Sequence, residues 1–237
     1  MEISNSELEP WGIYAFDNEF VGLPRLTFNL LRTCNLQTNI SAIGHFLKSG
    51  IELDQRVALI GFEHPNYMLA NFKEAGFCFD NELLSQQLIY LYYKPLFSYS
   101  LCYVTDYRKL FDEILFLANG DISRIAFLNA DVLFNLETHL LAEASVQHII
   151  SAFSDSGNTI LGCYQASNTP SHLSLDQISK ECLSSYLEIR PAANGNDRSY
   201  DLLLHKYPLA DQNQSIELHL THGYGFNTPK MNLIQHG

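Results

Sequence analysis

The chain has 237 residues, is 46% hydrophobic, and carries 14 Lys+Arg against 26 Asp+Glu for a formal net charge of −12. That apolar content excludes global disorder, and the length suits one large domain with a substantial core. The acidic balance, with no Lys/Arg run to offset it, argues against nonspecific binding to nucleic acid or to anionic membrane surfaces.

Gly12–Phe16 reads as a short β-rich run followed by an acidic turn, and Leu26–Leu31 as a strand with apolar residues on both faces. From Thr38 the period becomes helical through Ala42, Ile43, Phe46 and Leu47, with Thr38 or Asn39 as the expected N-cap and Gly50 as the stop. Arg56–Phe62 reads as a buried strand. Pro65 then suits the first turn of a helix carrying Met68, Leu69 and Phe72, which Gly76 ends. Leu88–Tyr93, Ile125–Leu128 and Thr159–Tyr164 are further strands, the continuous apolar runs that a sheet covered on both faces requires. Helical spacing separates them over Tyr107–Ala118 and Leu136–Phe153.

After Pro170 the pattern changes. His172–Cys182 reads as a surface helix, and Cys182–Ile189, Tyr200–Tyr207 and Ser215–Leu220 as antiparallel strands. No repeat or long linker interrupts the chain. The expected fold is one α/β domain, doubly wound and mostly parallel, with helices on both faces. Residues 10–170 form its core, 171–226 a C-terminal antiparallel β meander, and 227–237 a tail.

Five scattered cysteines, Cys34, Cys78, Cys102, Cys163 and Cys182, include no Cys-x-x-Cys, so a reducing compartment fits and neither a zinc knuckle nor a redox pair is indicated. Met1–Trp11 lacks the basic and apolar regions of a signal peptide, and no apolar stretch approaches the roughly 18–20 residues that cross a bilayer. A cytoplasmic protein without membrane insertion is expected. His205, His219 and His222 fall in the C-terminal hairpins and read as solvent-face residues, so no metal and no cofactor is expected.

In this order the elements resemble the RecA-type core of the KaiC/RadA family of ATPases, over residues 10–226. Phe46–Glu63 carries the resemblance best: a helix, a short turn, and a strand ending in a glutamate. Ile125–Asp131 is similar to the strand that ends in the family's Mg²⁺-organising aspartate, and Gly157–Leu161 to the strand after the long helix. The resemblance implies a RecA-like fold. It also places Glu63 where the family orients its attacking water and Asn129 where the family has the aspartate.

The phosphate chemistry is erased. A phosphate loop needs Gly-x-x-x-x-Gly-Lys-Ser/Thr, with glycines to close backbone amides on phosphate, lysine for charge and a hydroxyl for Mg²⁺. Here the glycine positions are Thr33 and Thr38, the lysine position is Asn39 and the hydroxyl position is Ile40. Phosphoryl transfer rests on electrostatic stabilisation of phosphates and metal, so neither ATP hydrolysis nor a bound nucleotide is expected.

Glu63, His64, Asn129 and Asp131 lie at strand ends, where open α/β sheets place ligands, and form the candidate crevice. Asp131 is expected to share an extended face with Asn129. Tyr90, Tyr92, Tyr93, Tyr99 and Tyr103 are the densest aromatic cluster and the candidate interface with other protein subunits. The expected function is a pseudo-ATPase adaptor or scaffold in a larger bacterial assembly. The alternative is a regulator that senses a nucleotide or cyclic dinucleotide without hydrolysis.

Overall fold

The computed structural model describes residues 7–61, 63–92, 121–133, 157–166, 170–193, 198–210 and 214–227, together with Phe116 and Gln147. Apart from Phe116 and Gln147, the expected helices over 107–118 and 136–153 lie outside the described residues, as do Tyr93, Tyr99 and Tyr103.

The chain opens with a two-stranded antiparallel sheet, β1 (Leu8–Glu9) and β2 (Leu23–Pro24), which brackets helix α1 (Tyr14–Phe20). The expected strand at Gly12–Phe16 is therefore corrected to a helix. Phe16 and Phe20, four residues apart, are both buried, which is helical spacing. The Ile13 N-cap side chain makes no capping hydrogen bond, but Asp17 folds back instead. Its carboxylate accepts the Trp11 amide at 2.8 Å and the Gly12 amide at 2.6 Å.

Six parallel strands follow: β3 (Phe28–Thr33), β4 (Val57–Gly61), β5 (Leu88–Tyr92), β6 (Arg124–Phe127), β7 (Thr159–Gln165) and β8 (Ser185–Pro191). Antiparallel strands β9 (Ser199–Lys206), β10 (Gln214–Thr221) and β11 (Gly225–Asn227) complete one nine-stranded sheet. Its order is β11-β10-β9-β8-β3-β7-β6-β4-β5. The mixed α/β architecture and the antiparallel C-terminal strands are as the sequence predicts.

Helices α2 (Leu36–Glu52), α3 (Pro65–Glu74), α4 (Asp80–Leu84) and α5 (Pro170–Cys182) connect the strands. Successive strand residues feed two cores, as the period of two demands. Leu31, Leu59, Ala126 and Leu161 pack with Ile43, Phe46 and Leu47 of α2 and Phe72 of α3. Leu30, Ile60, Phe127 and Ile160 pack with Leu175 and Ile178 of α5 on the other face. α2 runs through Gly50, the expected stop, and the left-handed residue comes later at Asp54, φ 58°.

The β10–β11 turn docks on α2. The Phe226 amide donates to His45 Nε2 at 3.0 Å, and the Phe77 ring meets His45 edge-on at 5.0 Å. Gly76, at φ +95°, lies so close that an added Cβ would sit 1.9 Å from the Gly223 carbonyl oxygen. Burial, with Lys48 second, lowers His45 from the ordinary 6.5 to about 4.

An unprotonated Nε2 is what the Phe226 amide needs. The native state therefore resists a proton that the unfolded chain accepts below about 6.5, so stability falls as pH drops from there toward 4. His45 is only partly buried, and the loss is expected to total about 2–3 kcal/mol. Asp17 titrates with the opposite sign, because burial pushes its carboxyl up to about 6. The check is therefore a comparison of wild type with His45→Gln, which keeps an acceptor and leaves Asp17 in place. In urea melts between pH 7 and 4.5, the variant should lose markedly less stability on acidification.

Candidate functional site

The carboxyl edge of the sheet holds both groups of residues that the sequence singles out. At the end of β3, Thr33 Oγ1 donates to the Tyr164 carbonyl at 3.1 Å. Only Cys34 and Asn35 separate β3 from α2. Asn35 is the N-cap, which corrects the expected Thr38 or Asn39. Its Oδ1 accepts the Thr38 amide at 2.9 Å, and Thr38 Oγ1 accepts the Asn35 amide at 3.3 Å, a reciprocal capping box.

Asn39 turns inward, its Nδ2 donating to the Leu128 carbonyl at 2.7 Å, and Ile40 joins the first core. Thr33, Thr38, Asn39 and Ile40 are all buried. An anion nest needs successive backbone amides that face outward around a concavity. Here Thr38, Asn39 and Ile40 lie at the capped start of a helix, and their side chains serve the fold.

Glu63 and His64 follow β4. His64 is the N-cap of α3, its Nδ1 accepting the Asn66 amide at 3.3 Å, and the Glu63 carbonyl accepts the Tyr90 hydroxyl at 3.0 Å. Both side chains are exposed. Asn129 follows β6, the parallel neighbour of β4 with Ile60 opposite Phe127, so Glu63 and Asn129 lie at adjacent strand ends. The expected extended face shared by Asn129 and Asp131 is corrected. The strand ends at Phe127, and Asp131 sits in a 3₁₀ turn over Ala130–Leu133, where the alternation of a strand no longer applies.

Tyr90 and Tyr92 lie beside these ends on β5, in register with Leu59 and Gly61. Among the described residues no group of three His, Cys, Asp or Glu side chains is placed to hold a metal ion.

Two cavities flank the β10–β11 turn instead. One of about 290 Å³ is lined by Gly12, His45, Lys48, Phe77 and Tyr224 among others. The second, of about 360 Å³, includes Leu36, Ile40, Asn71, Glu74 and His222. Neither includes Glu63, His64, Asn129 or Asp131.

Sequence reasoning missed a polar cluster on the α5 side of the sheet. Asp176 Oδ2 takes Arg32 Nη1 at 2.9 Å, while its Oδ1 accepts the Tyr164 hydroxyl and, at 2.8 Å, the Tyr186 hydroxyl. Arg32 also reaches Glu188 at 3.4 Å, and Glu188 meets His205 Nε2 at 2.6 Å. Burial, reinforced by their acidic neighbours, pushes both tyrosine hydroxyls far up. The hydrogen bond from His205 holds Glu188 below its usual range. Asp176 accepts three donors, so the cluster braces β3, β7, β8 and α5 against one another. Its one signal in the sequence is a charged residue, Arg32, next to the apolar run of β3.

Compared with known proteins, the chain matches no protein-family model, and no curated protein matches it in sequence.

Proposed function

We propose that this chain is a non-catalytic, doubly wound RecA/KaiC-like domain, a pseudo-ATPase that acts as an adaptor or scaffold subunit. The observation that carries this reading is the closed start of α2. The Thr38 amide is taken by Asn35, Asn39 holds Leu128, and Ile40 fills the core, so every position that would handle phosphate is spent on the fold. Helices packed in both cores and a parallel centre agree with the RecA-like architecture.

The test is a thermal-shift titration against ATP, ADP, GTP and cyclic dinucleotides, with and without Mg²⁺. No shift is expected. A ligand at about 100 times its dissociation constant stabilises a fold by roughly 2.7 kcal/mol, so a real site gives a raised melting temperature. Such a shift would overturn the adaptor reading in favour of a nucleotide sensor.

A further inference from the structure

Strand β11 is three residues long, stands last in the sheet order, and among the described strands pairs with β10 alone. The turn before it separates the two cavities. Gly223 and Tyr224 line the one of about 290 Å³, and His222 the one of about 360 Å³. A short edge strand bounded by voids depends on a few specific contacts, and such elements open at lower free energy than a core.

Those contacts converge on His45 of α2. The Phe226 amide donates to its Nε2 at 3.0 Å, and the Phe226 ring, 2% exposed, stacks over the imidazole at 6.5 Å. Phe77 meets the same imidazole edge-on. A proton on Nε2 replaces the acceptor with a second donor facing the amide.

Around this ring, α2 brings Lys48, which repels the proton, and Glu52, which lies 4.0 Å from Lys48 and lines the same cavity. The turn brings the Tyr224 hydroxyl, and β9 brings Tyr200 against Phe226. The Gly12 segment brings Asp17, whose carboxylate accepts the Gly12 amide at 2.6 Å. Beside Phe77, Cys78 donates to Asp80 at 3.2 Å. Among the described residues no carboxylate pairs with His45.

We infer that the β10–β11 turn is an acid-released latch, which protonation of His45 frees from α2 while the rest of the sheet stays folded. Release uncovers the Phe226 and Phe77 rings. The inference is independent of the pseudo-ATPase reading.

The test is amide hydrogen exchange by NMR on the full chain at pH 7 and 4.5, with small additions of urea. The Phe226 amide reports the latch, and the Leu161 amide, in a strand paired on both sides, reports global unfolding. Relative to its intrinsic rate, Phe226 is expected to exchange at least about tenfold faster at pH 4.5 than at pH 7. Its exchange should depend little on urea, whereas Leu161 should exchange more slowly and with the full urea dependence of unfolding. His45→Gln, which keeps an acceptor and leaves Lys48, Glu52 and Asp17 in place, should remove the acid acceleration. Equal rates and equal urea dependence for Phe226 and Leu161 would overturn the inference, since the turn would then open only with the whole protein. An equal acid acceleration in folded His45→Gln would overturn it too. If that variant does not fold, the wild-type acid acceleration and urea dependence decide alone.

Discussion

Replacing Arg124 with alanine is expected to cost about 3–5 kcal/mol of folding free energy. Arg124 is 0% exposed, at the first position of β6, and its guanidinium joins four parts of the chain. Nη1 donates to the Pro10 carbonyl at 2.8 Å and the Phe46 carbonyl at 3.0 Å, Nε donates to Gln55 Oε1 at 2.7 Å, and Nη2 lies 3.5 Å from Glu9 Oε1. The guanidinium carbon also sits 5.1 Å from the centre of the Phe46 ring.

Removing it leaves Glu9 buried with only Gln55, whose Nε2 donates to it at 2.6 Å. The cost thus comes mainly from stranded partners. Two carbonyls lose donors in a place water reaches poorly, and a carboxylate loses its cation. Urea unfolding at pH 7 gives the measurement. Adding Glu9→Leu to Arg124→Leu should recover part of the loss, because the stranded charge is then gone. A double variant as unstable as the sum of the two singles would show that the pair is not coupled.

This network also shows what a sequence conceals. Arg124 precedes an apolar run and reads as an ordinary strand-flanking charge, while its partners Pro10, Phe46 and Gln55 come from distant segments. The parallel strands were legible because burial on both faces leaves continuous apolar runs, as in Val57–Gly61. Helix α3 was legible from Pro65 at its start and Gly76 beyond its end.

The five residues Gly12–Phe16 by themselves fit strand and helix equally. Only Phe20 and the carboxylate of Asp17 decide it. At the start of α2 the capping box of Asn35 and Thr38 is present in the sequence, but a phosphate-loop template places the helix start later. Glu63 and Asn129 follow β4 and β6, which pair in parallel. The turn after Phe127, which takes Asp131 out of the strand alternation, follows from chain geometry that the residue types do not announce.

Placing the lysine of a phosphate loop at Asn39 is expected to destabilise the protein. Asn39 is 3% exposed, and its Nδ2 is fixed on the Leu128 carbonyl at 2.7 Å. An ammonium at that position would lose its hydration without a carboxylate in exchange. Asn39→Lys is therefore expected to cost about 3 kcal/mol or more at pH 7.

The pH dependence identifies the cause. A buried lysine has its native pKa lowered, so the folded protein sheds a proton that the unfolded chain keeps up to about 10.4. The penalty is complete below the lowered native pKa and shrinks as pH rises toward the unfolded value. Thermal melts at about pH 7 and 9.5 should show the variant gaining on wild type with increasing pH. Asn39→Leu, which only strands the Leu128 carbonyl, should cost about 1–3 kcal/mol without that dependence.

Adding Ile40→Thr supplies the missing hydroxyl but takes an aliphatic side chain from the first core, so the double variant should be less stable still. It should also give no thermal shift with ATP and Mg²⁺, because the Asn35–Thr38 cap still closes the turn where phosphate would sit. A stable double variant that binds ATP would mean that the turn opens readily. The internal hydrogen bonds of Thr38 and Asn39 would then no longer support the proposal of a pseudo-ATPase.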